Sequence, residues 1–499
     1  MVTQGRIPDE LRGTLFRIGS GDSAPYDHWF DGDGWLCSLA FPGPDEPPVF
    51  RARYVNTVRR KAQERWTGPG RATRGAWTQR ADGSVLANAA RLPTNPSNTN
   101  LLLRDGKLLA LCEGGPPAVL DPATLATLSP ADPCGVASFF AAHPKADPSD
   151  GTLIGCGLSL GATSLEAAIT SLEAGRSPLS LLPSFPAPLN FFELTPDAPR
   201  PTRQRAHALP FFTFVHDMAL TPTRALVVLP PYVIPDVAAY ASAILGQRAV
   251  GMCFEWRPEL GTQVMVVDRA TLELEAIVRL PDPAPTCYHV INAFEEHDAG
   301  GADVLSVQIC EQRNGDRAQL EDQYKHIARA AFTPELQCRA VEYRLRMPGM
   351  PPGKGGSGGE ASCIGRVELA ATARPFELPD LHPSYVGRRA KYAYTWCLEK
   401  DTSTFADALQ RIELVEGGRV SKVISFGEGR CAGSPLFVPR GQAEDDGFLL
   451  TFVYDKARDE SDLVVLDAAD LEGEPVATIA LGQRLPPLFH GIWADEVYD

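Results

Sequence analysis

Three stretches of this 499-residue chain repeat one local pattern: AVLDPATL at Ala118–Leu125, VMVVDRATL at Val264–Leu272 and DLVVLDAADL at Asp462–Leu471. Each reads as an apolar strand, an aspartate at the turn (Asp121, Asp268, Asp467), and a short return. The separations are 147 residues (268 − 121) and 199 residues (467 − 268). These lie near three and four units of about 49, and propeller blades repeat at roughly 40–50 residues. The echo favours a β-propeller.

The surrounding sequence fits an all-β chain. Gly and Pro number 44 each, and the apolar runs between them are short. TLIGCGLSL from Thr152, RALVVLPP from Arg224, DVLSVQIC from Asp303 and FLLTFVYD from Phe448 have strand length and turn-residue boundaries. The best helical pattern is TSLEAAITSLEAG, where Thr163 and Glu166 have capping-box spacing and Gly175 a stop position. MPGMPPGKGGSGGEAS, residues 347–362, is expected to be a flexible Gly/Pro-rich insertion in one domain spanning 1–499.

Composition narrows the function. Net charge is −15, with no Lys/Arg block, so nucleic acid is not an expected partner. No apolar run reaches the roughly 18 residues needed to span a bilayer. The N-terminus MVTQGRIPDELRG lacks the apolar core of a secretory signal. Eleven scattered cysteines without a CxxC pair suggest reduced thiols. The expected location is a cytoplasmic or plastid-like reducing compartment.

Four of the nine histidines, His143, His216, His289 and His490, follow an aromatic or apolar residue, and most precede a turn or polar group. Such residues can project from strand ends, and propeller strands arrive radially at one axis. Neutral imidazole binds Fe, Zn, Cu or Ni. The spacing alone does not decide between a metal site and separate core roles.

The longer strings do. HWFDGDGWL (His28–Leu36), HPKADPSDG, FVHDMALTP, INAFEE and FHGIW occur in this order. With GRIPDELRGTLFRIGSG, NTNLLLRDGKLLALCEGG and SPLFVPRGQAEDDGFLLTFVYD, they resemble the carotenoid cleavage oxygenase family from Gly5 to Trp493. The resemblance implies a seven-bladed β-propeller with a helical and loop cap over its active-site face. It implies one non-haem Fe(II) held by His143, His216, His289 and His490. It also implies glutamates that accept hydrogen bonds from the ligating imidazoles, which fixes ring orientation and raises basicity. Glu113 matches the partner of His216 and Glu377 that of His289. The third is absent: the family's Gly-Glu-Pro stands here as Gly433-Ser434-Pro435, so Ser434 leaves His490 without its carboxylate. FDGDG at Phe30–Gly34 reads as a structural turn, and His297 and His382 as bystanders.

The implied reaction is cleavage of a conjugated C=C bond of a carotenoid or apocarotenoid by O2, giving two carbonyl products. The substrate is then an apolar polyene. Phe139, Phe140, Phe211, Phe212, Phe214, Tyr288, Phe294 and Phe489 flank the histidines and are candidates for the tunnel. Segments 177–192 and 230–246 are candidates for apolar contact with a membrane surface. Two alternatives stay open. Stilbenoid-cleaving relatives carry a lysine immediately before the first glutamate, where this chain has Cys112. A catalytically silent binding propeller is favoured only by Ser434.

Overall fold

In the computed structural model, alternate residues of the strand Arg224–Leu229 enter two different apolar clusters. Leu226 and Val228 pack one way, and Ala225, Val227 and Leu229 the other. The neighbouring strand Gln263–Asp268 does the same with Val264 and Val266 against Met265 and Val267. A side-chain period of two puts neighbours on opposite faces. A strand apolar at every position therefore belongs to a sheet covered on both faces. That is why VMVVD reads as a continuous apolar run and not an alternating one.

The described residues are all except 22–28, 44–45, 68–93, 133, 137, 160–184, 245–246, 249, 284, 299–300, 302, 313–337, 349–359, 372 and 400–404. They form seven antiparallel blades. Blade one joins Leu488–Ala494 to Gly13–Gly21, Asp33–Phe41 and Val49–Tyr54. Blade two runs Asn100–Arg104, Lys107–Leu111, Ala118–Leu120 and Thr127–Ser129. Blade three runs Lys145–Ala146, Leu153–Leu158, Leu189–Leu194 and Arg203–His207. Blade four runs Ala219–Leu220, Arg224–Leu229, Gln263–Asp268 and Leu274–Arg279. Blade five runs Val290–His297, Asp303–Gln312, Cys338–Arg346 and Ser362–Glu368. Blade six runs Phe376–Asp380, Tyr392–Cys397, Ala408–Glu413 and Val420–Ser425. Blade seven pairs Arg430–Ala432 and Leu436–Pro439 with Gly447–Asp455, then Glu460–Asp467 and Ala477–Ala480, and Val2–Gly5 closes its outer edge.

The ring is closed twice by distant parts of the chain. Leu488–Ala494 pairs with Gly13–Gly21, placing Ile18 opposite His490, and Val2–Gly5 pairs with Ala477–Ala480. One apolar cluster fills each interface between neighbouring blades. Phe16 and Leu36 meet Leu101 and Leu108 between blades one and two. Leu15 and Leu39 meet Leu450 and Leu463 between blades one and seven. First strands of consecutive blades touch one another, as in Ala219–Leu220 against Val290–His297 and Leu488–Ala494 against Asn100–Arg104.

The repeated aspartate pattern is the turn between the third and fourth strands of blades two, four and seven. Asp121 Oδ1 accepts from the backbone N–H and hydroxyl of Thr124, each at 2.7 Å. Asp268 Oδ1 repeats both bonds with Thr271 at 2.7 Å. Leu125 and Leu272 follow with the same positive φ of 57°. In blade seven, Asp467 accepts from Ala469 N at 2.8 Å, a variant without the threonine.

One expectation changes at its edges. Met347 is buried in the cluster between blades four and five, and Ser362 begins a strand, so the Gly/Pro-rich stretch is narrower than 347–362. Its central residues 349–359, and the helix expected over Thr163–Gly175, lie outside the described residues. No helix among the described residues is long and apolar enough to cross a membrane, and the eleven cysteines form no disulfide.

Candidate metal centre

His143, His216 and His289 stand just before the first strands of blades three, four and five, and His490 lies in the first strand of blade one. Their ring nitrogens converge within 4.8 Å of one another. The Nε2 atoms of His143 and His216, His216 and His289, and His289 and His490 are each 3.2 Å apart. Nitrogens bound at about 2.0–2.1 Å to one ion, at right angles, are about 3 Å apart. Four imidazoles with Nε2 atoms turned inward at this spacing fit a single ion and can hold a metal.

The remaining ring nitrogens divide the four into two classes. His216 Nδ1–H donates to Glu113 Oε1, and His289 Nδ1–H donates to Glu377 Oε2 at 2.6 Å. These bonds fix the tautomer that leaves Nε2 free as a ligand. Glu377 is itself held by Leu378 N at 3.0 Å and Cys338 Sγ at 3.5 Å. Cys112 Sγ donates to Glu113 Oε2 at 3.4 Å. Among the described residues, no carboxylate pairs with His143 or His490.

Electrostatics follow this division. Burial holds the pKa of His143 and of His490 well below the ordinary value, and neighbouring imidazoles add to the effect. Burial opposes protonation of His216 too, but the charge of Glu113, its hydrogen bond and the charge of Asp217 outweigh it and raise that pKa. A metal ligand must be unprotonated, so His143 and His490 are ready-made donors.

Two groups unforeseen in the sequence tie the site together. Asp217, 5% exposed, bonds Lys145 Nζ at 2.9 Å through Oδ1, and its Oδ2 accepts from Val290 N at 2.8 Å. Lys145, Asp217 and Val290 lie two, one and one residues after His143, His216 and His289. One buried carboxylate thus fixes three histidine-bearing segments. The second group is Arg17, whose Nη2 donates to the Ser434 hydroxyl, to Ser434 O at 3.2 Å and to Phe489 O at 3.3 Å. Burial pushes its pKa down to about 10, which leaves it cationic at neutral pH. Ser434 Oγ in turn donates to Phe489 O at 2.7 Å. Where a carboxylate was expected, His490 is steadied through the backbone of its neighbour. Both groups sit in the strings HPK, FVHDM and TLFRIGSG, but their long-range partners are invisible locally.

A glutamate at position 434 would meet Arg17, so its charge would not be buried unpaired. Ser434→Glu is expected to slow iron release to a chelator by on the order of tenfold. An unchanged release rate contradicts this role for the missing carboxylate.

An apolar pocket opens beside the histidines. Its wall includes Glu113, Phe139, Phe212, Phe214, Val215 and Phe254. The Phe214 ring stacks on His216 at 5.8 Å, and Tyr288 lies edge-on to it at 6.1 Å. Phe489 packs with Trp29 and Phe30 at 4.5 and 5.4 Å on the Tyr288 side. Three of the eight candidate tunnel aromatics are corrected. Phe140 is fully buried against Phe192 between blades two and three. Phe211 packs on the cluster between blades three and four. Phe294 lies in the strand Val290–His297, with the Arg389 guanidinium over its ring at 4.5 Å. None of the three lies on the pocket wall.

The bystanders stay outside. His297 is exposed beside Asp303, and buried His382 bonds Gly441 O at 3.0 Å. Asp33 is held by Arg59 at 3.3 Å and serves the turn. His28 lies outside the described residues. Gly157, on the pocket wall, has no room for a side chain, since a Cβ there would lie 1.7 Å from Phe139 O. Gly157→Ala is expected to cost about 1–3 kcal/mol, measured by denaturant unfolding; unchanged stability contradicts the close approach.

A seven-bladed propeller that gathers four histidines beside an apolar pocket defines a class of propeller that can hold a metal ion on its axis side. The chain matches the retinal pigment epithelial membrane protein family over residues 1–495, and it belongs to that family, the carotenoid cleavage oxygenases. It is 29% identical to an apocarotenoid-15,15'-oxygenase of Synechocystis, over 98% of this chain and 92% of the relative. It is 28% identical to a carotenoid 9,10(9',10')-cleavage dioxygenase 1 of Arabidopsis thaliana, over 99% and 86%. The structure of cobalt-substituted Synechocystis apocarotenoid oxygenase superposes with a TM-score of 0.74 at 27% identity, covering 99% of this chain and 95% of that one.

Proposed function

We propose that the protein is a non-haem Fe(II) dioxygenase that cleaves a conjugated C=C bond of a carotenoid or apocarotenoid with O2, giving two carbonyl products. The observation that carries this reading is the convergence of four imidazole nitrogens beside an apolar, aromatic pocket. His143, His216, His289 and His490 would hold the iron. Ferrous iron supplies the means for triplet O2 to react with a closed-shell alkene. The chain's own residues do the rest. Glu113 and Glu377 orient two ligands, and Asp217 fixes the segments that carry three. Phe139, Phe212, Phe214 and Phe254 pack a flat polyene and exclude water. Glu113, the one carboxylate among the described residues of this wall, is engaged by His216 and Cys112, which suits a reaction without a side-chain acid or base.

Cys112 also weighs against a phenolic stilbenoid. It is 1% exposed, and a thiol offers no positive charge to pair with a phenolate. Membrane contact is proposed for the exposed corner at Asp236–Ala238, where Val237 is 60% exposed. Much of the described remainder of 177–192 and 230–246 packs inward, with Phe191 and Phe192 fully buried. A reducing compartment is proposed from the eleven cysteines, which form no disulfide.

The test incubates iron(II)-loaded protein in air with a β-apocarotenal in mild detergent and identifies products by chromatography and mass. Two shorter carbonyl products are expected. Absence of cleavage by fully loaded protein contradicts the reading.

A further inference from the structure

Among the described residues, the wall of the pocket beside the histidines carries three polar side chains, Glu113, Thr213 and Tyr240. Two are committed within the fold. Glu113 serves His216 and Cys112. The Thr213 hydroxyl donates to Pro230 O at 2.5 Å and lies 3.1 Å from Tyr232 O. The third is not: among the described residues, the buried Tyr240 hydroxyl has no hydrogen-bond partner. Tyr240 is 7% exposed and sits on the helix Val237–Ile244, with its ring 5.3 Å from Phe212 in the apolar cluster around the pocket. Burial raises its pKa to about 12, so the phenol stays protonated and can donate.

A buried hydroxyl without a partner is unfavourable, and most such groups in folded proteins are satisfied. The side chain that carries this one lines the cavity proposed to receive substrate. We infer that Tyr240 is a substrate-recognition residue that donates a hydrogen bond to an oxygen on the polyene. The substrate class this selects is an oxygen-bearing polyene, an aldehyde, ketone or alcohol, over the hydrocarbon of equal length. Val215, next to His216, lines the same pocket, so an oxygen held at Tyr240 also sets which double bond lies against the histidines. This inference rests on the polyene reading of the pocket.

The test measures anaerobic binding of a β-apocarotenal and of the matched hydrocarbon to the Fe(II)-loaded full-length protein, by the shift in polyene absorption. The wild-type protein is expected to bind the aldehyde more tightly by on the order of tenfold. Tyr240→Phe should bring the two affinities together by weakening the aldehyde alone. Its thermal midpoint without polyene should be unchanged or higher, because no internal hydrogen bond is lost. An unchanged aldehyde-to-hydrocarbon ratio in Tyr240→Phe overturns the inference. So does a lowered midpoint with both ligands weakened equally, which marks a structural hydroxyl. If the wild-type protein binds neither polyene, the polyene reading itself fails, and the assignment of Tyr240 falls with it.

Discussion

Exchanging His289 for alanine is expected to strip the protein of iron and abolish turnover. His289 holds the middle of the cluster, with Nε2 3.2 Å from both His216 and His490. Its loss opens the ring of donors and leaves Glu377, which accepts from it at 2.6 Å, with a charge no longer paired to an imidazole. Leaving a buried carboxylate without its hydrogen-bond donor is unfavourable, so the surroundings would also rearrange toward water. The expected fall in iron affinity exceeds the roughly 100-fold upper range for losing a supporting partner alone. The fold itself should survive, because the clusters between neighbouring blades do not contain His289. Metal analysis after dialysis, with a thermal melt to establish folding, checks this. Stoichiometric iron and retained turnover in the folded variant contradict the four-histidine site.

The second large effect is expected from Glu113→Gln. The amide keeps the shape and an acceptor oxygen for His216 Nδ1–H, but it loses the charge that raises the basicity of that imidazole. Iron should bind about 10–100-fold more weakly, as for other hydrogen-bond partners of metal-ligating histidines. Glu113 also forms part of the pocket wall, so the same change puts a neutral amide beside the polyene. The two effects separate in one experiment. At saturating iron, kcat should recover while the excess iron needed to reach it rises. Unaltered iron affinity would show that the Glu113 charge does not tune the ligand.

Much of this was legible in the chain because the family strings run through the metal-binding segments. His143, His216, His289, His490, Glu113 and Glu377 come together as the resemblance implies, and Ser434 stands where His490 has no carboxylate. The aspartate echo also had a physical origin, the shared turn of Asp121 and Asp268. What escaped depends on direction or distance. Phe140, Phe211 and Phe294 are close to the histidines in sequence, but tertiary packing decides where they point: Phe140 and Phe211 pack on the clusters between blades, and Phe294 is buried within the strand Val290–His297. Phe254 and Tyr240 reach the pocket from a segment far from any histidine. Arg17 meets Ser434 across 417 residues through the closure of the ring, a contact that local pattern does not encode.

The most direct test is aerobic product formation from a β-apocarotenal, measured as iron(II) is titrated into metal-free protein. Cleavage should be absent without iron, rise in proportion to it and level off at one iron per chain. Cleavage that persists without iron, or none at full loading, would contradict the account.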